Sequence, residues 1–532
     1  MARRKLSLNL ALSSLPWLFT AAFVLRSRPF LKLPYDMWHH LMLIRGWFAN
    51  GAPYLTMPET RPHEVVWHWV WASIFRVLGL SDVFIWAKVI HCAQFFWTLF
   101  CLGYFCNVIL KIVVPTTGQK LRQFLSLCGA WMFVLGAGTF SVQYQMSWML
   151  WYSVNYQGVT LPAYFLATAI LVRLVTGSDE GRGGRVHWTD FIAVCLLLMV
   201  IVIFHPLEAS YFLLSSGLLI ALFSDRIWLV VRRNRLKAWL LPLSFLGIPV
   251  LIYYLPEIGI PLPTSRGFKL MTQPKEFLDQ ILLTGKQIQD TGIHRGLSSF
   301  TELAITGSLI LAGILSARCF SFSWQKPLET ADRVLLWVSL SAIGFGVAPR
   351  TLIPSGFLGV MTVDEQVWRF AFASPWFMGF PLWGCYLLKE RKTSVRIGIA
   401  LAPFVAAFLV SRIFLGGPFN ANVASLFRSL ELRDRDRVGI QYDRGALARL
   451  DELVLAVPEP NNGKKNIFLI RTDLQTYVRA ATGVYVLGHR LVAVHRGWYG
   501  EWENSYELVE IPAPADIPVD EEMQRAFPSM KL

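Results

Sequence analysis

Apolar runs long enough to cross a bilayer recur along the first 415 of the chain's 532 residues. A hydrocarbon core about 30 Å thick needs roughly 20 apolar residues per helix. Only a helix or a closed barrel satisfies its own backbone there. The runs read as eleven spans: 8–24, 83–110, 121–138, 158–176, 189–205, 206–224, 238–255, 298–317, 333–348, 366–388 and 397–415. Composition agrees with a polytopic α-helical membrane protein. Apolar residues make up 54%, charged residues 16%, and the mean hydropathy is +0.44, whereas soluble chains carry about 25% charge. Disordered, fibrous and disulfide-scaffold classes are excluded.

The net charge of +15 raises the question of nucleic acid, and its distribution answers it. Arg3, Arg4 and Lys5 precede the first span and place the N-terminus in the cytoplasm. Counting crossings from there puts Arg226, Arg232, Arg233, Arg235 and Lys237 inside, together with Lys389, Arg391, Lys392 and Arg396. Most of the excess charge therefore lies on one side of the membrane, and no nucleic acid is needed to explain it. A cleaved signal peptide is the alternative for the first run. No small-x-small site follows it and Arg26, Arg28 and Lys32 come next, so an uncleaved helix is the better reading. All seven cysteines fall in spans or at their cytoplasmic ends, with no C-x-x-C pair, so neither a disulfide framework nor a zinc site is legible.

Eleven crossings leave the C-terminus outside. The expected division is a membrane module over 1–415 and an extracytoplasmic α/β domain over 416–532. The latter carries 14 basic and 16 acidic residues and no long apolar run. In it, Asn466–Arg471 and Val484–Leu487 read as strands, Leu474–Ala481 reads as a helix, and the acidic, proline-rich stretch Ile511–Glu522 reads as a tail. The first outer loop, 26–82, holds two amphipathic stretches, Met37–Asn50 and Glu64–Leu78. The second is dense in tryptophan (Trp67, Trp69, Trp71), which suits helices lying in the headgroup layer.

Asp36, His39 and His40 stand at i, i+3 and i+4, one face of a helix that begins just beyond the first span. A carboxylate there has the chemistry to take a proton from an acceptor hydroxyl, with the histidines orienting it or binding a sugar or phosphate. The bland alternative is an N-cap after Pro34 and Tyr35, and the two roles are compatible. Glu64 opens the second stretch, as a cap or as a second site carboxylate. His205 and Glu208 flank Pro206 where span five turns into span six, a depth at which ionisable groups are costly unless they face a polar cavity. Arg350 and Arg369 lie near the outer ends of spans nine and ten. There they either snorkel or present a planar fork to a lipid phosphate. Arg433–Arg437 contains D-x-D between arginines and reads as a solvated face.

Pro34-Tyr-Asp-Met-Trp-His-His40, continuing through Ile44-Arg-Gly-Trp and Asn50-Gly-Ala-Pro-Tyr54, resembles the first outer loop of the glycosyltransferase-C superfamily. The His-Pro at an outer helix end, Arg369-Phe-Ala-Phe-Ala-Ser-Pro375 and the C-terminal domain add to the likeness. The resemblance implies inverting transfer of a single sugar from a polyprenyl-phosphate donor to a cell-envelope glycan or protein. By analogy Asp36 is the general base, and Arg350 or Arg369, with His205, holds the donor phosphate. It points to the bacterial arabinofuranosyltransferases as the nearest branch. No redox cofactor is implied. Some members pair two acids around a divalent metal, but no Asp-Asp or Asp-x-Asp stands at Asp36. The absence of N-x-Ser/Thr sequons and of outer cysteines fits a bacterial inner membrane.

Three rivals remain. A transporter or lipid flippase predicts charges deep in several spans and an internal repeat; few charges stand deep, Lys88 the clearest, and no repeat is evident. A glycan polymerase or ligase predicts transfer of whole chains. A non-catalytic assembly subunit predicts that the C-terminal domain matters and Asp36 does not.

Overall fold

The computed structural model describes residues 35–50, 65–136, 154–177, 188–204, 206–233, 299–319, 328–346, 370–389, 444–460, 465–470, 474–482, 486–488 and 506–512. The chain divides into two compact units. One comprises residues 1–24, 94–149 and 156–432; the other comprises 25–93, 150–155 and 433–532. The expected boundary at 415/416 lies outside the described residues, as do spans 8–24, 238–255 and 397–415.

The first unit is helical among its described residues. It contains the greater part of α3 (Val83–Val113), then α4 (Gln119–Gly136), α5 (Gln157–Thr176), α6 (Trp188–Phe204), α7 (Pro206–Leu222), α8 (Ser224–Arg233), α9 (Ser299–Cys319) and α10 (Thr330–Gly346). Two described helices, Val83–Val113 and Gln157–Thr176, are long and apolar enough to cross a membrane. Shorter apolar stretches are Thr189–Phe204, Tyr211–Leu222 and Thr306–Arg318. The full set of eleven spans is therefore not met among the described residues. α5 is buried on almost every face, packing against α6 and α7.

The expected continuous span 366–388 is broken into α11 (Phe370–Ala373), a 3-10 turn (Pro375–Met378) and α12 (Gly379–Lys389). Ser374 is extended, at φ −73° and ψ 127°, because the residue before proline is pushed out of the helical region. Breaking a helix in an apolar interior frees carbonyls that must find donors. The Tyr164 hydroxyl donates to the Ala373 carbonyl at 3.1 Å, and the Ser374 hydroxyl donates to the Ala342 carbonyl at 3.1 Å. The turn then packs close to α9: a Cβ on Gly307 would meet the Trp376 carbonyl oxygen at 2.3 Å, and one on Gly379 would meet the Gly307 carbonyl oxygen at 2.6 Å. Around it Phe105, Phe133, Phe165 and Phe377 interlock, with ring centroids 5.2 to 5.9 Å apart.

The second unit joins loop helices to the α/β domain. It holds α1 (Tyr35–Asn50), α2 (Val65–Val77), the first turns of α3, α13 (Arg444–Leu455), α14 (Gln475–Thr482) and three strands. The strands β1 (Lys465–Ile470), β2 (Val486–Gly488) and β3 (Tyr506–Glu510) form a parallel sheet in the order β2-β1-β3, with Phe468 opposite Val486 and Val509. The central strand is the one with a continuous apolar run, Ile467 to Ile470, of which Phe468 and Ile470 are buried. α13 turns Ala446, Leu447, Leu450 and Val454 inward, and α14 contributes Tyr477, Val478 and Ala480. α14 also packs against α1.

Candidate active site

α1 and α2 are joined by a bond between two buried imidazoles. Nδ1 of His40 lies 2.9 Å from Nε2 of His68. The ring centroids are 5.1 Å apart and the planes are inclined by 19°. That separation and near-coplanarity describe two rings meeting edge to edge through an in-plane N–H···N bond, not a face-to-face stack. One nitrogen must donate and the other accept, so the contact survives with both rings neutral or with one extra proton, and not with two. Trp67 stands edge-on to both rings, at 5.8 Å from His40 and 5.0 Å from His68.

Further along, the Arg76 guanidinium donates to the carbonyls of Trp47 and Phe48 at 2.7 and 2.8 Å. A cation on the last carbonyls of α1 satisfies acceptors the helix leaves open and complements the negative end of its dipole. Arg45 does the same for the turn into α3, donating to the Ser81 carbonyl at 3.0 Å and lying over the Trp86 ring at 5.5 Å. Phe75 stacks on Trp86 at 5.2 Å and 5°. These contacts also fix direction. His40 pairs with His68, and residues seven to eight positions later on α1 pair with Arg76, eight positions later on α2. The two helices therefore run parallel, and their N-terminal ends lie together.

Asp36 occupies the first turn of α1, one turn before His40, and His39 is also on this helix; the side chains of both lie outside the description. Glu64, His205, Arg350 and Arg369 lie outside the described residues altogether. Glu208 is in the first turn of α7 in the first unit, 3% exposed. One turn on, Tyr211 is buried beside Tyr164, at 6.4 Å between centroids, and beside Phe345, at 5.8 Å. α11 packs on α5, α7 and α10, so the polar groups of the helix break and the α7 N-terminus share one seam of that unit. Among the described residues no group of three or more His, Cys, Asp or Glu side chains is placed to hold a metal.

Sequence reasoning missed His68. It sits in an aromatic run whose density reads as an interfacial helix, and its partner is 28 residues away, a separation that no local spacing reveals. It also missed Gln94, 2% exposed in α3, whose amide nitrogen and oxygen find no partner among the described residues.

No family model matches the chain, and no curated protein matches it. Among solved structures it is similar to the oligosaccharyltransferase of Archaeoglobus fulgidus. The apo form is 10% identical at a TM-score of 0.49, covering 90% of this chain and 64% of that one. A complex with zinc and sulfate is 11% identical at a TM-score of 0.44, covering 85% and 58%. The complex of the same archaeal enzyme, AglB, with an inhibitory peptide and a dolichol-phosphate is 10% identical at a TM-score of 0.44, covering 91% and 64%. The chain spans about three-fifths of the length of these structures.

Proposed function

We propose that this chain is an integral membrane glycosyltransferase that moves a sugar from a polyprenyl-phosphate donor to an acceptor at the outer membrane surface, with Asp36 as general base. The observation that carries the reading is the parallel α1–α2 pair. Its buried imidazole bond and arginine caps hold rigid the helix whose first turn bears Asp36. The adjacent N-termini of α1 and α2 favour negative charge nearby, whether a carboxylate or a phosphate.

In the proposed step the acceptor hydroxyl gives its proton to the Asp36 carboxylate as its oxygen attacks the anomeric carbon. The bond from that carbon to the phosphate oxygen breaks, the configuration inverts, and polyprenyl phosphate leaves with the electron pair. Arg350 or Arg369, with His205, neutralises the departing phosphate. His39, Glu64 and Glu208 contact the substrates. His40 acts through its bond to His68, as a positioning residue. The same reading takes in about eleven spans, a cytoplasmic N-terminus, an extracytoplasmic C-terminal domain and a bacterial inner membrane. It includes transfer of a single sugar, with arabinofuranose foremost among the donors.

The test is transfer from a panel of radiolabelled polyprenyl-phosphate sugars to glycan and protein acceptors in proteoliposomes. The wild type is expected to turn over, and a folded Asp36→Asn variant to lose about 10²–10⁴-fold in rate. Turnover that survives the substitution makes Asp36 a helix cap. No turnover with any donor overturns the reading, and products many sugars longer than the acceptor favour a polymerase or ligase.

A further inference from the structure

α8 exposes Ser224, Asp225, Trp228 and Arg232. It follows α7 after a one-residue corner at Phe223, which is fully buried. Two guanidinium groups flank that ring, Arg226 at 5.8 Å and Arg333 at 5.6 Å. Arg333 also bridges to Asp225 at 2.5 Å and donates to the Leu222 carbonyl at 3.2 Å, while Arg226 donates to the Thr330 hydroxyl at 2.7 Å. The first turn of α8 is thereby pinned to the first turn of α10, and the single acid of the helix is neutralised within the protein.

Beyond that turn the helix points outward. Trp228 is 63% exposed and Arg232 is exposed. At 100° per residue, Ile227 and Trp228 fall on one side and Arg226 and Arg232 on the other, with Trp228 next to Arg232 at the margin. An indole at the margin between an apolar stripe and a basic one is the arrangement of a helix lying in the headgroup plane. The sequence continues in basic residues, with Arg233, Arg235 and Lys237.

We infer that α8 is an interfacial helix that recruits anionic phospholipids at the cytoplasmic leaflet, Trp228 seating in the acyl boundary and Arg232 and Arg233 binding headgroup phosphates. This rests on the membrane-embedded reading above. It does not rest on the identity of the transferred sugar.

The test uses the full-length protein purified in mild detergent, with native mass spectrometry after mixing with equimolar phosphatidylglycerol and phosphatidylcholine. Wild type is expected to retain phosphatidylglycerol preferentially. Arg232→Gln/Arg233→Gln should lose about fivefold of that preference per charge removed. In vesicles, tryptophan quenching by brominated phosphatidylglycerol should fall in Trp228→Phe relative to wild type. Equal retention of the two lipids by wild type, or a preference that the double variant keeps in full, overturns the inference. Extraction of the chain from native membranes by alkaline carbonate overturns the membrane reading itself, a separate result from a chain that stays embedded and shows no lipid preference.

Discussion

The two units bury polar chemistry in different ways. In the first, the buried hydroxyls around the helix break answer to the backbone: Tyr164 donates to the Ala373 carbonyl at the break, and Ser374 donates to the Ala342 carbonyl of α10. Its ion pairs stand at helix ends, such as Arg173–Asp190 at 2.9 Å and Arg318–Asp332 at 2.9 Å. In the second unit, titratable side chains pack against one another: buried His40 against His68, and half-buried Asp451 against Tyr477, whose hydroxyl donates at 2.7 Å. An apolar bundle tolerates polar groups where its own chain is broken, while the mixed α/β unit builds them into its helix contacts. The proton-handling residues proposed for catalysis come from the second kind of region.

The largest effect should come from disturbing the bundle where it is tightest. Gly307→Ala would force a methyl against a main-chain oxygen and should cost about 1–3 kcal/mol or more. Gly313→Ala, in a position open to 4 Å, should leave the melting temperature in detergent unchanged. Equal melting of the two variants would show that the α9 contact is loose. In the second unit, His68→Ala leaves a buried ring nitrogen without this partner, for a loss of about 1–3 kcal/mol. His68→Gln, which still bonds His40, should recover much of both stability and turnover. If His68→Ala lowered stability but left the rate of the folded fraction intact, the imidazole pair would be a fastener with no bearing on Asp36.

Smaller and pH-dependent is the effect of Asp451. Burial raises its carboxyl to about 6, against the pull of the Tyr477 hydroxyl. An unfolded aspartate titrates near 3.9, so the folded chain holds the extra proton between about pH 4 and 6. The stabilisation is present below about pH 4 and is lost as pH rises through about 6. With part of the group open to solvent, about 1–2 kcal/mol is expected. Asp451→Asn should flatten this dependence and raise the melting temperature at pH 7. The smallest effect belongs to Asp190→Asn, which removes a partly exposed pair and should change stability by less than about 1 kcal/mol.

Much of this was legible from pattern alone. Periodicity placed α1 and α2 within a residue or two of their ends, and the apolar core of β1 was visible as a run. Three features were not. The break at Ser374 was signalled by Pro375, but the apolar residues on both sides gave no sign that a hydroxyl from α5 would take up the Ala373 carbonyl. β3, Tyr-Glu-Leu-Val-Glu, carries two acids, so its strand character comes from pairing with β1 and not from composition. His68 depends on a contact between helices that spacing along one of them cannot encode.

The second unit is assembled from the beginning and the end of the chain. α1, complete by residue 50, finds its neighbour α14 only after residue 475 has been made. At about 5–20 residues per second, translation leaves α1 and α2 without that neighbour for roughly 20–85 s. Such an order of synthesis keeps the Asp36 helix from reaching its finished surroundings until α14 has been made. A ribosome that stops early therefore releases a chain in which α1 lacks its α14 support.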